Sequence, residues 1–145
     1  MDDKSTDDLI HEIKSATDIE DYLIKNKENL LHSDLAEHLN MLLSEKGIKK
    51  ADVVRRSLLD RTYVYKIFSG KKIPSRDKLL ALAFGLGLSD EEANKMLRLS
   101  GNRELYARDG RDALILFALQ RNMSVFEVNE LLYEYKFGIL NTSKE

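Results

Sequence analysis

The sequence predicts an all-α protein, and two observations support that prediction. Apolar residues recur at helical spacing in one segment after another, whereas no segment of useful length shows the alternation that marks a strand. A capping box, in which Ser or Thr precedes Glu by three positions, opens three of these segments. The three boxes are Thr17 with Glu20, Ser89 with Glu92, and Ser124 with Glu127.

Residues 1–32 are predicted to form an acidic helical N-terminal arm. A short helix is expected over 7–15, followed by a second in which Ile19, Tyr22 and Leu23 face inward. The first 44 residues carry four basic and eleven acidic side chains, a net charge of −7. The whole protein has a net charge of only −2, so a later segment must be basic.

That basic segment is 46–78, with eleven Lys and Arg against three Asp. Its pattern predicts two short helices joined by a tight turn. The first helix runs from Lys50 to Arg56, and the turn contains Ser57, Leu58 and Leu59.

The second helix of the pair has a defined start, buried face and end. Asp60 is a good N-cap, because its carboxylate can accept from the free backbone N–H groups of the first turn. Val64, Ile67 and Phe68 form an apolar stripe, and Gly70 ends the helix. The outward face is then left to four side chains: Arg61, Thr62, Tyr65 and Lys66.

Concentrated positive charge on two short helices is what contact with the phosphate backbone of DNA requires. An ordinary solvated basic surface would carry the same charge. The spacing of helix, tight turn and helix favours the DNA-binding interpretation.

Three flanking helices complete a domain predicted over 33–100. Ser33 is placed to cap a helix over 34–46, which Gly47 ends and which carries one apolar face of Leu35, Leu39, Leu42 and Leu43. Ser75 precedes a helix over 76–86, and Ser89 caps the next one, over 90–99. The glycines of GLGLSD are interpreted as a helix stop and not as a cradle for a nucleotide phosphate.

Residues 101–145 are predicted to form a C-terminal helical hairpin. A strongly apolar helix over 111–120 precedes a turn and a helix that Ser124 caps. Two helices cannot bury that apolar surface between themselves, so they pack either on the preceding helices or on a second chain. The second alternative predicts a symmetric dimer with contacts from Phe117, Val128, Leu131 and Leu132.

The stretch KKADVVRRSLLDRTYVYKIFSGKKIP resembles the lambda-repressor-like, XRE-type helix-turn-helix family of transcriptional regulators. The positions that match the family pattern are Val53, Val54, Leu59, Val64, Ile67, Gly70 and Pro74. The resemblance implies a five-helix DNA-binding domain whose third helix, about 60–69, enters the major groove. It also implies that bases are read by Arg61, Thr62, Tyr65 and Lys66, and that phosphate is bound by Lys49, Lys50, Ser69, Lys71 and Lys72.

Four positions depart from the family pattern, and two of them are Phe68 and Ser69, which replace the usual Glu-Asn. Leu58 stands where the turn usually has Gly, and a residue with a Cβ is poorly suited to positive φ. The sequence therefore predicts a turn that follows a different course. Lys50 replaces the usual Gln, which keeps a hydrogen-bond donor and changes its geometry.

The function expected from these observations is sequence-specific regulation of transcription through double-stranded DNA. The alternative is a protein-interaction adaptor on a helix-turn-helix scaffold that does not read DNA, with an unidentified protein partner on the hairpin at 111–135. A homodimer fits either function. The acidic arm is then either a solvated helical face or a segment that lies across the basic face and competes with DNA.

Composition excludes several other classes. The chain has no Cys and three scattered His, so neither a disulfide nor a metal site is expected, and no cofactor is implied. No nucleophile stands beside a base and no pair of carboxylates suggests catalysis, so no enzyme is expected. No apolar run approaches the ~18 residues of a membrane helix, and the start MDDKSTDD is too acidic for a signal peptide. The expected location is cytoplasmic.

Overall fold

The computed structural model describes residues 4–26 and 35–140, and within them every regular element is an α-helix, which confirms the predicted all-α class. The helices are α1 Thr6–Ser15, α2 Ile19–Lys25, α3 Leu35–Lys46, α4 Lys50–Ser57, α5 Arg61–Phe68, α6 Arg76–Leu86, α7 Asp90–Leu99, α8 Gly110–Gln120 and α9 Val125–Glu134. None of these described helices has the length and apolar character needed to cross a membrane.

Local capping signals set most of the helix starts. Asp60, Ser75, Ser89 and Ser124 each accept a hydrogen bond from a backbone N–H in the first turn of the helix that follows. The capping boxes at Ser89 and Ser124 are both formed. The predicted cap at Ser33 lies outside the described residues.

The predicted start of α2 is wrong. Asp18 caps this helix instead of Thr17, because its carboxylate accepts from the backbone N–H of Glu20 at 3.1 Å. Only Tyr22 of the three residues predicted to face inward is buried; Ile19 and Leu23 are exposed. The reason is that α1 and α2 pack mainly on each other, so there is little apolar surface to cover them.

One hydrophobic core extends through α3 to α9 and ends at Leu140. Its most extensive helix pair is α4 against α6. Gly85 allows this close packing, since a Cβ at that position would lie 2.9 Å from the Cβ of Ser57 and 3.1 Å from the carbonyl oxygen of Val53. The two helices thus hold the turn after α4 rigidly against α6.

The C-terminal hairpin packs on its own chain, with α8 on α7 and α9 on α6. Val128 and Leu132 have no exposed surface, because both belong to this core. Their predicted contribution to a dimer interface is therefore ruled out. Phe117 is exposed and Leu131 is half-buried, so these two remain as candidates.

Two arginine–aspartate pairs join the start of α6 to the start of α8. Arg76 binds both carboxylate oxygens of Asp112 at 3.0 and 3.1 Å, and Arg111 binds both oxygens of Asp77 at 3.0 Å. We call these four residues the Arg–Asp clasp. The guanidinium groups also donate to backbone carbonyls of the neighbouring loops, Arg76 to Arg103 and Glu104, and Arg111 to Gly138 and Ile139.

Asp112 is the most buried member of the clasp, with 1% of its surface exposed. Burial by itself would raise the pKa of this carboxyl group. The hydrogen bonds from Arg76 and from the backbone N–H of Tyr106 outweigh burial, and they hold the pKa of Asp112 below its ordinary value. The carboxylate is consequently charged and fully engaged.

Candidate nucleic-acid interface

The turn between α4 and α5 has the left-handed backbone conformation that usually requires glycine, although its residue at that position is Leu58. Leu58 has φ +62° and ψ +14°, in the left-handed region, so the predicted change of course is wrong. Such a conformation costs about 1–2 kcal/mol for a residue with a Cβ. Its neighbours impose it: the Ser57 hydroxyl accepts from the Leu59 N–H at 3.3 Å, and Leu59 is buried in the core.

Helix α5 is anchored along one face and at both ends. The Asp60 carboxylate accepts from the Tyr63 N–H at 3.3 Å, and the predicted stripe of Val64, Ile67 and Phe68 is buried. At the other end, the Asn40 amide of α3 donates to the Phe68 carbonyl at 2.9 Å. The opposite face of α5 is therefore presented to solvent in a fixed orientation.

All four residues predicted to read bases lie on that exposed face. They line one shallow, open depression together with three of the predicted phosphate-binding residues; the full set is Lys50, Arg61, Thr62, Tyr65, Lys66, Ser69 and Lys71. We call this set the α5 face. It brings together the start of α4, the outer side of α5 and the loop after α5.

The other two predicted phosphate-binding residues lie outside the α5 face. Lys49 stands at the N-cap of α4, where its backbone N–H donates to the Asp52 carboxylate at 3.2 Å. That hydrogen bond is the main reason that the pKa of Asp52 is lowered. The Lys72 ammonium lies 5.9 Å from the centre of the Tyr63 ring. Both lysines are exposed and their predicted roles stay predictions.

The Tyr65 ring organises the centre of the α5 face. The Lys50 ammonium is 5.5 Å and the Arg61 guanidinium 5.1 Å from the ring centre, and Arg61 also donates to the Tyr65 hydroxyl at 3.3 Å. Exposed cation–π contacts of this kind contribute only about 0.5–1 kcal/mol. They orient the two cations without neutralising them.

The cations of the α5 face differ from other basic residues of the same stretch. Lys46 pairs with Glu92, Arg55 with Asp52, and Arg76 with Asp112. Among the described residues, Lys50, Arg61, Lys66 and Lys71 have no such carboxylate partner. Four cations of this region that form no ion pair within the described residues thus lie together on one face.

Several contacts that hold the α5 face in place were not identified from the sequence. Asn40 anchors the end of α5, Ser57 shapes the turn, and Gly85 admits α4 to its position against α6. Gly85 was interpreted as part of a helix stop, but only Gly87 ends α6, with φ +66°. None of these contacts is local in sequence except that of Ser57, so periodicity alone gives no signal for them.

Two helices joined by a tight turn, with unpaired cations on the outer side of the second, are the arrangement of the helix-turn-helix class. Residues 34–96 match the family model described as a helix-turn-helix domain. This part of the chain is therefore a helix-turn-helix domain, as the resemblance noted from the sequence predicts. No curated protein and no solved structure matches the chain.

Proposed function

We propose that this protein regulates transcription by binding a specific duplex DNA sequence with α5 in the major groove. The observation that carries the proposal is the α5 face, where every predicted base-reading residue is exposed on one side of a rigidly anchored helix. Arginine and lysine there can bind the acceptors of guanine, and the Thr62 methyl or Tyr65 ring can contact a thymine methyl.

Phosphate contacts beside α5 are supported by two groups of the α5 face. The Lys50 ammonium, from the start of α4, lies 5.5 Å from the Tyr65 ring centre, and Ser69 and Lys71 stand in the loop after α5. A helix that enters a major groove meets one sugar–phosphate strand on each side. Contacts at both edges would fix the depth and angle of α5, so that Arg61 and Thr62 reach base edges.

Binding to two half-sites is part of the proposal, because one helix-turn-helix contacts too few base pairs for tight specific binding. Phe117 and Leu131 line an apolar hollow on the outer side of α8 and α9, together with Tyr135 and Phe137. This hollow is a candidate dimer contact. Light scattering of Phe117→Asn tests this role: a shift of the full chain from dimer to monomer would place the contact at the hollow, and an unchanged dimer would place it elsewhere.

The experiment that tests DNA recognition is enrichment of random duplexes on the purified full chain, followed by sequencing of the retained DNA. A single enriched motif is expected. Its enrichment should be lost in Arg61→Ala and kept in Lys95→Ala, which removes one exposed positive charge from α7, outside the α5 face. Retention of DNA without an enriched motif would contradict sequence-specific reading.

A second function deserves a direct comparison because the hollow around Phe117 and Leu131 is apolar and open. A protein-interaction adaptor would use this surface and would leave the α5 face without a ligand. Salt distinguishes the two functions. Binding through several phosphates weakens steeply as salt rises, whereas an apolar protein contact does not.

A further inference from the structure

The N-terminal helical pair presents an apolar face that nothing in the described structure covers. Helices α1 and α2 form a unit, because Lys4 donates to the Asn26 amide oxygen at 2.8 Å, and the Asn26 amide donates to the Glu12 carboxylate at 2.7 Å. Five large aliphatic side chains are nevertheless exposed on this unit: Ile10, Ile13, Ile19, Leu23 and Ile24. We call α1 and α2 together the N-terminal hairpin.

Two helices this short, with a single buried hydrophobic residue, need a further apolar contact to be stable in water. The charge of the N-terminal hairpin restricts what that contact is. Residues 4–26 carry three Lys and six Asp or Glu, a net charge of −3. A second N-terminal hairpin would repel it, and a surface that is both apolar and basic would attract it.

One surface of the domain combines these two properties. The cleft between the α4–α5 turn and the start of α9 is lined by apolar side chains, among them Leu58, Met123 and Phe126. Two cations and one carboxylate also line it: Arg55, Arg56 and Glu127. Leu58 is 52% exposed and Phe126 is 64% exposed. Arg55 forms an ion pair with Asp52, whereas Arg56 forms no ion pair among the described residues and acts on Asp52 only through longer-range attraction. We call this surface the turn cleft.

The conformation of Leu58 is a second observation that points to the turn cleft. A leucine in the left-handed region is strained, and its exposed side chain recovers little by burial in its own chain. Glycine would adopt the same turn without strain. A second surface that covers the leucine side chain would bury apolar area and so offset the strain of the turn.

The chain's own hairpin leaves the turn cleft open in the structure. Leu58 and Phe126 stay exposed although α1 and α2 belong to the same chain, and the aliphatic side chains of the hairpin stay exposed as well. The hairpin of a second copy can therefore occupy the cleft.

We propose that the N-terminal hairpin of one copy docks in the turn cleft of a second copy, and that the exchange is reciprocal. The aliphatic residues of α2 cover Leu58 and Phe126, while Glu20 and Asp21 face Arg55 and Arg56. Two identical contacts related by a twofold axis close the assembly as a dimer. This contact does not involve the α5 face, and it is independent of whether the protein binds DNA.

Cysteine cross-linking of the full chain tests the contact directly, since the protein has no Cys of its own. Ile24→Cys chains mixed with Phe126→Cys chains should form a disulfide-linked dimer of the two variants under mild oxidation. Ile139→Cys replaces Phe126→Cys in the matched control, because Ile139 is also exposed and lies outside the turn cleft. A link that forms only within one chain carrying both substitutions would overturn the proposal, because the occupant would be the chain's own hairpin.

Sedimentation velocity without DNA gives an independent measurement. Ile24→Asn and Phe126→Asn should each raise the dissociation constant of the dimer about tenfold. Reversing both cations of the cleft, with Arg55→Glu and Arg56→Glu, should weaken the dimer as well, and adding Glu20→Lys and Asp21→Lys in the same chain should restore it. A dimer that tolerates all these changes and dissociates in Phe117→Asn would place the contact at the C-terminal hollow and overturn the proposal.

Leu58→Gly separates docking from folding. Removing a strained left-handed leucine should raise the melting temperature of the monomer, and removing the side chain should weaken the dimer about tenfold. Opposite changes in the two measurements are expected. If both the melting temperature and the association fall together, Leu58 serves only its own fold and the proposed contact is wrong.

Discussion

The α5 face and the Arg–Asp clasp use the same kinds of residue from one basic stretch in opposite ways. On the α5 face, Lys50, Arg61, Lys66 and Lys71 keep their charges unpaired beside solvent. In the clasp, Arg76 meets a carboxylate that is almost fully buried. An exposed cation is inexpensive to leave unpaired and stays available to phosphate, whereas a buried charge must find its partner within the fold. Local charge density therefore does not separate a ligand-binding residue from a structural one.

The largest effect expected from this comparison is on stability. Asp112→Ala should lower the free energy of unfolding by about 3–5 kcal/mol, because it leaves Arg76 and the Tyr106 N–H without their buried acceptor. Urea denaturation measures the change. Glu104→Ala is the control, since it breaks an exposed pair with Arg98 and should cost less than about 1 kcal/mol. Equal losses in the two variants would show that the clasp is not a buried structural pair.

Arg61→Ala should differ from Asp112→Ala in both measurements. It should lower the affinity for DNA and leave the free energy of unfolding almost unchanged. The cost on the preferred duplex is expected to be about 1–3 kcal/mol, because one base contact is removed from an exposed side chain. Binding to the preferred and to scrambled duplexes should be measured side by side. If both lose affinity equally, Arg61 contacts phosphate only.

The loop after α5 should affect the salt dependence more than the specificity. Replacing Lys71 and Lys72 with Ala should weaken all duplexes about equally and lower the slope of log affinity against log salt by roughly 2. The single variants separate the contributions of the two lysines to this slope, because Lys71 lines the α5 face and Lys72 lies beside Tyr63. A slope that Lys72→Ala leaves unchanged would remove Lys72 from the interface.

The smallest effect concerns pH. The pKa of Asp112 is lower in the folded protein than its unfolded value of about 3.9, so its contribution to stability is complete above that value. The contribution is lost as the pH falls through the lowered folded pKa. Unfolding free energies measured between neutral pH and acid should show less of this acid-induced loss in Asp112→Asn than in the natural chain. Equal acid sensitivity in both would assign the loss to other carboxyl groups.

Local signals in the sequence predicted most of the fold. Asp60, Ser75, Ser89 and Ser124 were identified as helix starts because a cap depends on residues within one turn. The cap of α2 was misplaced by one residue, since Asp18 and Thr17 offer similar oxygen acceptors. The exposed residues of α5 followed from its apolar stripe, because a buried stripe determines the opposite face.

Contacts between distant residues were beyond the reach of periodicity. Arg76 and Asp112 are 36 positions apart, and nothing in their neighbourhoods distinguishes them from surface charges. Leu58 shows the same limit at short range. Its propensity predicts another turn, but the buried Leu59 and the Ser57 hydrogen bond impose the left-handed conformation.

The continuous core has a practical consequence for anyone who wishes to transplant this helix-turn-helix. A gene fragment that ends with the family match at residue 96 would omit Leu105, Ile115, Leu119, Val128 and Leu132, all of which belong to the same core as α6. It would also leave Arg76 and Asp77 facing water without Asp112 and Arg111. A chimera or reporter fusion should therefore carry residues 35–140 together. The hydrophobic core that stabilises the helix-turn-helix extends well beyond the part that is recognisable as a helix-turn-helix.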